Sequence, residues 1–340
     1  MALKRTAVQY SDVLGGLALL AVIGICARTV AVLVPGANYL IVAIALGALL
    51  TNLYGVPDWA RAGVNSHKLL LETGIVLMGI RLTLDSILDA GPTLIGLVIA
   101  VIVFTCLLIE FVSRNVFGMA DKTGSLLAAG ASICGVSAIV AVSGSIHADE
   151  DQIAYAVATI LLFDALTLAA YPLVGHLLGL TDTVFGVWAG LSMFSTGPVA
   201  AAGFAYSETA GQWATVTKLT RNLFIGLAVV AYSVYYARRR ATSTRSIDSL
   251  SLLWTKFPKF VLGFVAVMVV ANLGILTPTQ VTSARHAYQW LFLLAFAGLG
   301  MHIRVADVRD TGLRPVIVVF VSLLVVSSVT LFVVSALFGL

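Results

Sequence analysis

Eleven apolar runs, most of them close to the length that crosses a bilayer, follow one another along this chain with short polar loops between them. A membrane-crossing helix needs about 20 apolar residues. The runs fall near 11–34, 38–54, 68–84, 92–113, 124–146, 152–178, 183–207, 213–236, 257–276, 285–303 and 313–338. Lipid cannot hydrogen-bond a backbone, so each run must close its own N–H and C=O groups as helix. The expected fold is all-α and polytopic, one transmembrane domain over residues 1–340 with about eleven segments. Only 11% of the residues are charged, against about 25% in a soluble domain, so lipid is the solvent for most of the chain. The formal net charge of +4 does not point to nucleic acid, because the basic residues cluster in loops and form no nucleic-acid motif. Cys26, Cys106 and Cys134 all lie in apolar runs and none is in a CxxC pair, which argues against a disulfide framework or a zinc site. The first run follows Lys4 and Arg5 without a small-residue cleavage site, so it is expected to stay as a helix.

Lysine and arginine set the orientation of such a chain. With the N-terminus inside, fifteen of the twenty basic residues fall in inside loops. The five others are Arg28, Arg81, Arg285 and two cations within an apolar run, Lys218 and Arg221. The loop 147–151 has no Lys or Arg and is placed outside. These signs predict a multi-pass protein of the cell membrane with its N-terminus cytoplasmic and its C-terminus outside. The segment 238–256 reads as a polar cytoplasmic linker.

The chain resembles itself twice. At an offset of about 220, Asn52-Leu53 matches Asn272-Leu273, Pro57 matches Pro278, Gly79 matches Gly300 and Gly91 matches Gly312. An odd number of crossings separates the copies, which makes them inverted, the common architecture of secondary transporters. The repeat-like halves run over about 38–178 and 183–338. At an offset of 60, Ala129-Gly130 and Ser132 match Ala189-Gly190 and Ser192, and Gln152 matches Gln212. This pairs two Gly-rich runs, 124–146 and 183–207. If both cross, the copies are parallel; if both turn back, they are inverted. Chance similarity among small-residue helices also accounts for this second match.

Three charges are expected inside the membrane, where charge is costly and usually lines a path or a site. Lys218 and Arg221 are three residues apart and share a helix face. Arginine offers a planar fork for oxyanions and lysine a point charge. Thr215, Thr217, Thr220 and Asn222 make the same stretch polar; snorkelling to the near interface is the alternative. Asp164 lies mid-run and is expected to couple a proton or sodium, or to pair with one of the cations. Glu72 and Arg81 are too far apart to pair, about 13 Å along a helix, and read as structural.

Two segments are expected to be discontinuous or re-entrant. In the first, Gly130 and Gly135 frame Ser132, Cys134 and, just beyond, Ser137. Glycine disfavours helix interiors by about 1 kcal/mol, and a break would aim free N–H groups at an anion. Close packing through small residues explains the same pattern. In the second, Ser195, Thr196, Gly197 and Pro198 place a Gly-Pro step mid-run, which favours a break; a simple kink is the alternative.

The strings GASICGVSAI, AGLSMFSTGPVAAAG, ATVTKLTRNLFIG, ETGIVLMGIRLTL and LLAFAGLGMHI together resemble a family of prokaryotic inner-membrane proteins labelled sulfate exporters, often grouped with bile-acid, arsenite and riboflavin transporters. The resemblance covers roughly residues 38 to 338. It implies that Ser132, Cys134 and Gly135 belong to a first signature and that Lys218, Arg221 and Arg81 hold family positions. The chain departs from the family where a His and an acidic residue are usual and Phe194 and Ser195 stand, where Pro198 replaces a Gln, at Glu72, where a basic residue is common, and at Asp164, where a small residue is usual.

The expected function is secondary active transport of a small inorganic or organic anion by alternating access. Lys218, Arg221, Ser132, Cys134, Gly135, Ser137, Ser195, Thr196 and Gly197 are the expected binding residues, with Asp164 for coupling to H+ or Na+. No cofactor or resident metal is expected, and no Walker A sequence is present. The partners expected are the anion and the bilayer, with a homodimer allowed. A sodium- or proton-coupled cation carrier centred on Asp164 is the second expectation. An enzyme is not expected, because no intramembrane nucleophile–base or carboxylate pair is seen.

Overall fold

A computed structural model describes residues 2–34, 38–81, 84–240, 258–304 and 313–338, and no strand occurs among them. The helices, in chain order, are α1 (Ala2–Leu33), α2 (Tyr39–Tyr54), α3 (Asp58–Asn65), α4 (His67–Met78), α5 (Leu84–Phe111), α6 (Asp121–Ala129), α7 (Val136–Ile146), α8 (Glu150–Leu177), α9 (Asp182–Ser192), α10 (Thr196–Tyr206), α11 (Glu208–Asn222), α12 (Ile225–Arg240), α13 (Phe260–Asn272), α14 (Pro278–Met301) and α15 (Leu313–Phe338). Five helical stretches are long and apolar enough to cross a membrane: Asp12–Leu33, Gly91–Val116, Glu150–Leu177, Glu208–Arg239 and Leu313–Phe338.

The sequence-predicted runs differ from these helices in informative places. The run 213–236 is two helices, α11 and α12, joined at Leu223-Phe224. The run at 285 begins earlier, at Pro278, because Thr277 and Gln280 form a capping box ahead of it. Helix α3 is amphipathic and lies outside every apolar run. Most of the linker 238–256, and Gly312 of the first repeat, lie outside the described residues.

The chain divides into two compact units. Unit 1 holds residues 1–88 and 260–305. Its helices pack through small residues: Gly16 and Gly63 join α1 to α3, and Gly47 and Gly300 join α2 to α14. Thr51 Oγ1 donates to Met301 O at 2.9 Å across that second contact. Unit 2 holds residues 89–259 and 306–340 and contains all the intramembrane charges that the sequence singles out.

Unit 2 resolves the two Gly-rich runs. Both are hairpins. A continuous helix would put Lys122 and His147 about 38 Å apart at 1.5 Å per residue; instead Lys122 Nζ donates to His147 O at 2.6 Å. Likewise Tyr206 Oη donates to Leu180 O at 2.5 Å, and its ring stacks on Phe185 with centroids 3.9 Å apart. So α6 and α7 form one hairpin, and α9 and α10 a second. Each run folds back on itself, which is the re-entrant alternative of the sequence reading. The loop 147–151 lies at the same end as Lys122 and therefore shares a side with the loop 114–122, which corrects its placement on the opposite side.

The 28-residue α8 connects the hairpins. The first joins its N-terminal end and the second its C-terminal end, so the hairpins point towards each other along α8. Their tips meet at its middle. A Cβ built on Gly135 would lie 3.3 Å from Ile160 Cγ2 of α8 and 3.1 Å from Ser195 Cβ. This opposed arrangement is the one that the 60-residue match requires if both runs turn back.

Candidate functional site

Each tip has its own local cause. In the first hairpin, α6 ends in a wide turn over Gly130–Cys134, closed by Gly135 N–H donating to Gly130 O at 2.8 Å. Gly135 then takes φ 70°, ψ −132°, a conformation that costs residues with a Cβ about 1–3 kcal/mol. In the second hairpin, α9 stops at Ser192 and Met193, Phe194 and Ser195 are extended or irregular before α10 starts at Thr196. Pro198 falls in the first turn of α10, where a missing N–H removes no helix bond. The Gly-Pro step therefore marks a helix start rather than a kink.

Each break leaves carbonyls at the end of one arm and N–H groups at the start of the next. The carbonyl ends are claimed by two cations from α11. Helix α11 lies against both arms of the second hairpin, where Gly186 and Gly190 of α9 and Gly203 of α10 leave room for it. Lys218 Nζ donates to Ile133 O at 2.7 Å and to Met193 O at 3.0 Å. Arg221 donates to Ala131 O and Ser132 O of the first tip at 2.8–3.2 Å, and to Gly190 O and Met193 O of the second at 2.8 Å. Both side chains are fully buried. The five contacts of Arg221 use its whole complement of N–H donors. Cations at helix C-termini also oppose the negative end of the helix dipole.

One N-terminal end is claimed by a carboxylate. Ser195 N–H donates to Asp164 Oδ1 at 2.9 Å, next to the first turn of α10. Asp164 is 4% exposed, and its second oxygen, Oδ2, has no hydrogen-bond partner. Asn222, one turn beyond Lys218, donates to Thr196 Oγ1 at 3.0 Å, while its own buried Oδ1 is unpartnered. The start of α7 has no side-chain cap.

The sequence-predicted residues thus gather around one point, with differences among them. Ser132 contributes its backbone oxygen to Arg221, and Cys134 is buried beside it. Ser195, Thr196 and Gly197 are half-buried, and Ser137 lies on the exposed face of α7. Lys218, Arg221 and Asp164 are all buried at the tips. The receiving groups at Ala131, Ile133, Gly190 and Met193 are backbone oxygens, which no side-chain reading finds; the glycines at 130, 135 and 190 were their only signal. Among the described residues no group of three or more His, Cys, Asp or Glu side chains could hold a metal ion.

Opposed broken hairpins, packed with long apolar helices and pinned by buried charge, define a multi-pass helical membrane protein with irregular backbone where the hairpin tips meet. Such backbone is tolerated at membrane depth where it is buried in protein or lines a cavity. The chain belongs to the family described as conserved hypothetical protein 698, whose model matches residues 15–319. It is 34% identical over 277 residues to a UPF0324 membrane protein of Nitratidesulfovibrio vulgaris, covering 81% of this chain and 77% of that one. It is 32% identical to a UPF0324 membrane protein of Corynebacterium glutamicum, covering 87% and 84%. A relative in Clostridium tetani is 29% identical over 92% of this chain and 94% of its own. No solved structure matches the chain.

Proposed function

We propose that this membrane protein is a secondary active transporter of a small anion, working by alternating access about the meeting point of the two hairpin tips. One observation carries the reading: two opposed hairpins meet mid-helix around a buried cluster of two cations and one carboxylate. The cluster holds one net positive charge, counting Lys218 and Arg221 against Asp164. The anion would meet the first-turn N–H groups of α7 and α10 and the hydroxyls of Ser195 and Thr196. Lys218 and Arg221 would act through their field, since carbonyls occupy the fork of Arg221. Asp164 would carry the coupling proton or sodium. The opposed hairpins support alternating access because a shift at the tips would open one end and close the other. The sulfate label of the family resembled in sequence fits this class of substrate.

One observation favours a second reading, a sodium- or proton-coupled cation carrier. Asp164 Oδ2 and Asn222 Oδ1 are buried acceptors without donors, and such oxygens suit a cation. Melting curves of detergent-purified protein in matched-ionic-strength sodium and choline salts, with Asp164→Asn alongside, separate the two. The anion reading expects a rise that depends on the anion and persists in choline. A rise that follows sodium or pH alone, and disappears in Asp164→Asn, would replace it with the cation reading.

A further inference from the structure

A narrow crevice lies on the other side of the tips, between α5 and α15. Its walls include Thr105 of α5, Ala131 of the first tip, Ser192 and Phe194 of the second, and Ser322 of α15; the remainder is aliphatic. It is closed too tightly here to admit a water molecule. Two of its hydroxyls are unusual. A threonine within an apolar helix ordinarily donates to the carbonyl four residues back, as Thr159, Thr167, Thr215, Thr220 and Thr330 all do here at 2.7–3.0 Å. Thr105 Oγ1 and Ser322 Oγ make no hydrogen bond at all, although the residues are only 3% and 1% exposed; Thr217 Oγ1 of α11 shares that state but does not line the crevice. Leaving a buried hydroxyl without a partner is costly, and two of them face one crevice. The third hydroxyl in the wall, Ser192 Oγ, is already engaged: it donates to Trp188 O at 2.6 Å and accepts from Tyr171 Oη at 3.0 Å.

We infer that Thr105 and Ser322 are a specificity-determining pair that offers two O–H donors to a weakly hydrated monoanion when the crevice opens. The inference rests on the anion-carrier reading above and narrows its substrate class. The sign follows from the surroundings. No carboxylate and no cation lines the crevice. Behind the wall stands the tip cluster: Arg221 donates to Ala131 O at 2.9 Å, Lys218 donates to Ile133 O, and Asp164 accepts from Ser195 N–H beside Phe194; two cations against one carboxylate make the net charge there positive. The magnitude follows from the wall. Its aliphatic remainder offers nothing to replace a hydration shell, and the cost of removing one rises with the square of the charge, about four-fold from a monoanion to a dianion. Nitrate-like ions therefore suit the crevice better than sulfate.

The test uses sodium nitrate and sodium sulfate at low millimolar concentration, against gluconate at matched ionic strength, on purified wild type and on Thr105→Val/Ser322→Ala. Both replacements keep the shape and remove an unpaired polar group, so the double variant should fold and melt no lower than wild type. Wild type should gain roughly 3 °C at saturating nitrate and little in sulfate. The double variant should lose that gain, with apparent nitrate affinity reduced at least about 10-fold. A double variant that keeps the nitrate response overturns the pair's role and leaves the anion-carrier reading standing. A wild type that prefers sulfate overturns the monoanion assignment alone. A wild type that responds to no anion overturns both readings.

Discussion

Arg221→Met should lower the melting temperature of the purified protein by roughly 10 °C and sharply reduce the monodisperse fraction after extraction. The substitution keeps most of the side-chain volume, so it tests the hydrogen bonds rather than a cavity. It strips donors from Ala131 O, Ser132 O and Gly190 O, and halves the cationic support of Met193 O. Removing one partner of a buried charged network costs about 3–5 kcal/mol, and each kcal/mol moves a cooperative unit of some 200 residues, the size of unit 2, by about 2–4 °C. Arg221→Lys keeps the charge but reaches fewer oxygens, and should fall between wild type and Arg221→Met. A fluorescence-monitored melt checks all three. Arg221→Met melting within about 2 °C of wild type would remove the pinning role assigned here.

The second large effect is expected at Gly135. Gly135→Ala must adopt φ 70° with a Cβ that overlaps Ser195 Oγ and lies 3.1 Å from Ser195 Cβ. The backbone cost is about 1–3 kcal/mol and overpacking adds about 1–3 kcal/mol, so a loss of about 2–6 kcal/mol is expected. Ser195→Gly should restore the packing part but not the backbone part. A double-mutant cycle between the two positions should show a coupling of at least about 1 kcal/mol. Gly144→Ala is the internal comparison. It sits on α7 with no atom within 4 Å of an added Cβ, and alanine is favoured over glycine there by about 0.5–1 kcal/mol. Gly144→Ala should therefore hold or raise the melting temperature. Equal losses at 135 and 144 would mean that helix propensity, not the meeting of the tips, governs both.

The charged centre was legible in the sequence because charge stands out against an apolar run. Lys218, Arg221 and Asp164 needed no structure to be noticed. Their partners did. A cation in a membrane helix invites a guess of an anionic ligand, yet the helix breaks supply backbone oxygens, and a carbonyl leaves no mark in a sequence beyond the glycine nearby. The two Gly-rich runs were legible as irregular but not as hairpins. About 25 residues suffice either for one broken crossing or for two short arms, and composition is the same in both. The Lys122–His147 and Tyr206–Leu180 contacts decide it, and these depend on long side chains reaching across a tertiary contact. Thr105 and Ser322 were invisible for a different reason. Hydroxyls are common in apolar helices, and what distinguishes these two is a bond they fail to make together with the crevice they share.

The reach of Arg221 and Lys218 also bears on how the chain is made. The carbonyls of Ala131, Ser132 and Ile133 receive their donors from residues 85 to 90 positions later. At about 5–20 residues per second, that is an interval of roughly 4–18 s in which the first tip exists and its partners do not. Exposed carbonyls are not tolerated in hydrocarbon. During synthesis the first hairpin must therefore wait in contact with water or with the insertion machinery, and it can settle at depth only once α11 has emerged. The second hairpin faces a far shorter delay, since Gly190 and Met193 precede Arg221 by 31 and 28 positions. The two halves of the centre, alike in their finished form, are thus reached on unequal schedules, and a ribosomal pause between residues 150 and 190 would burden only the first.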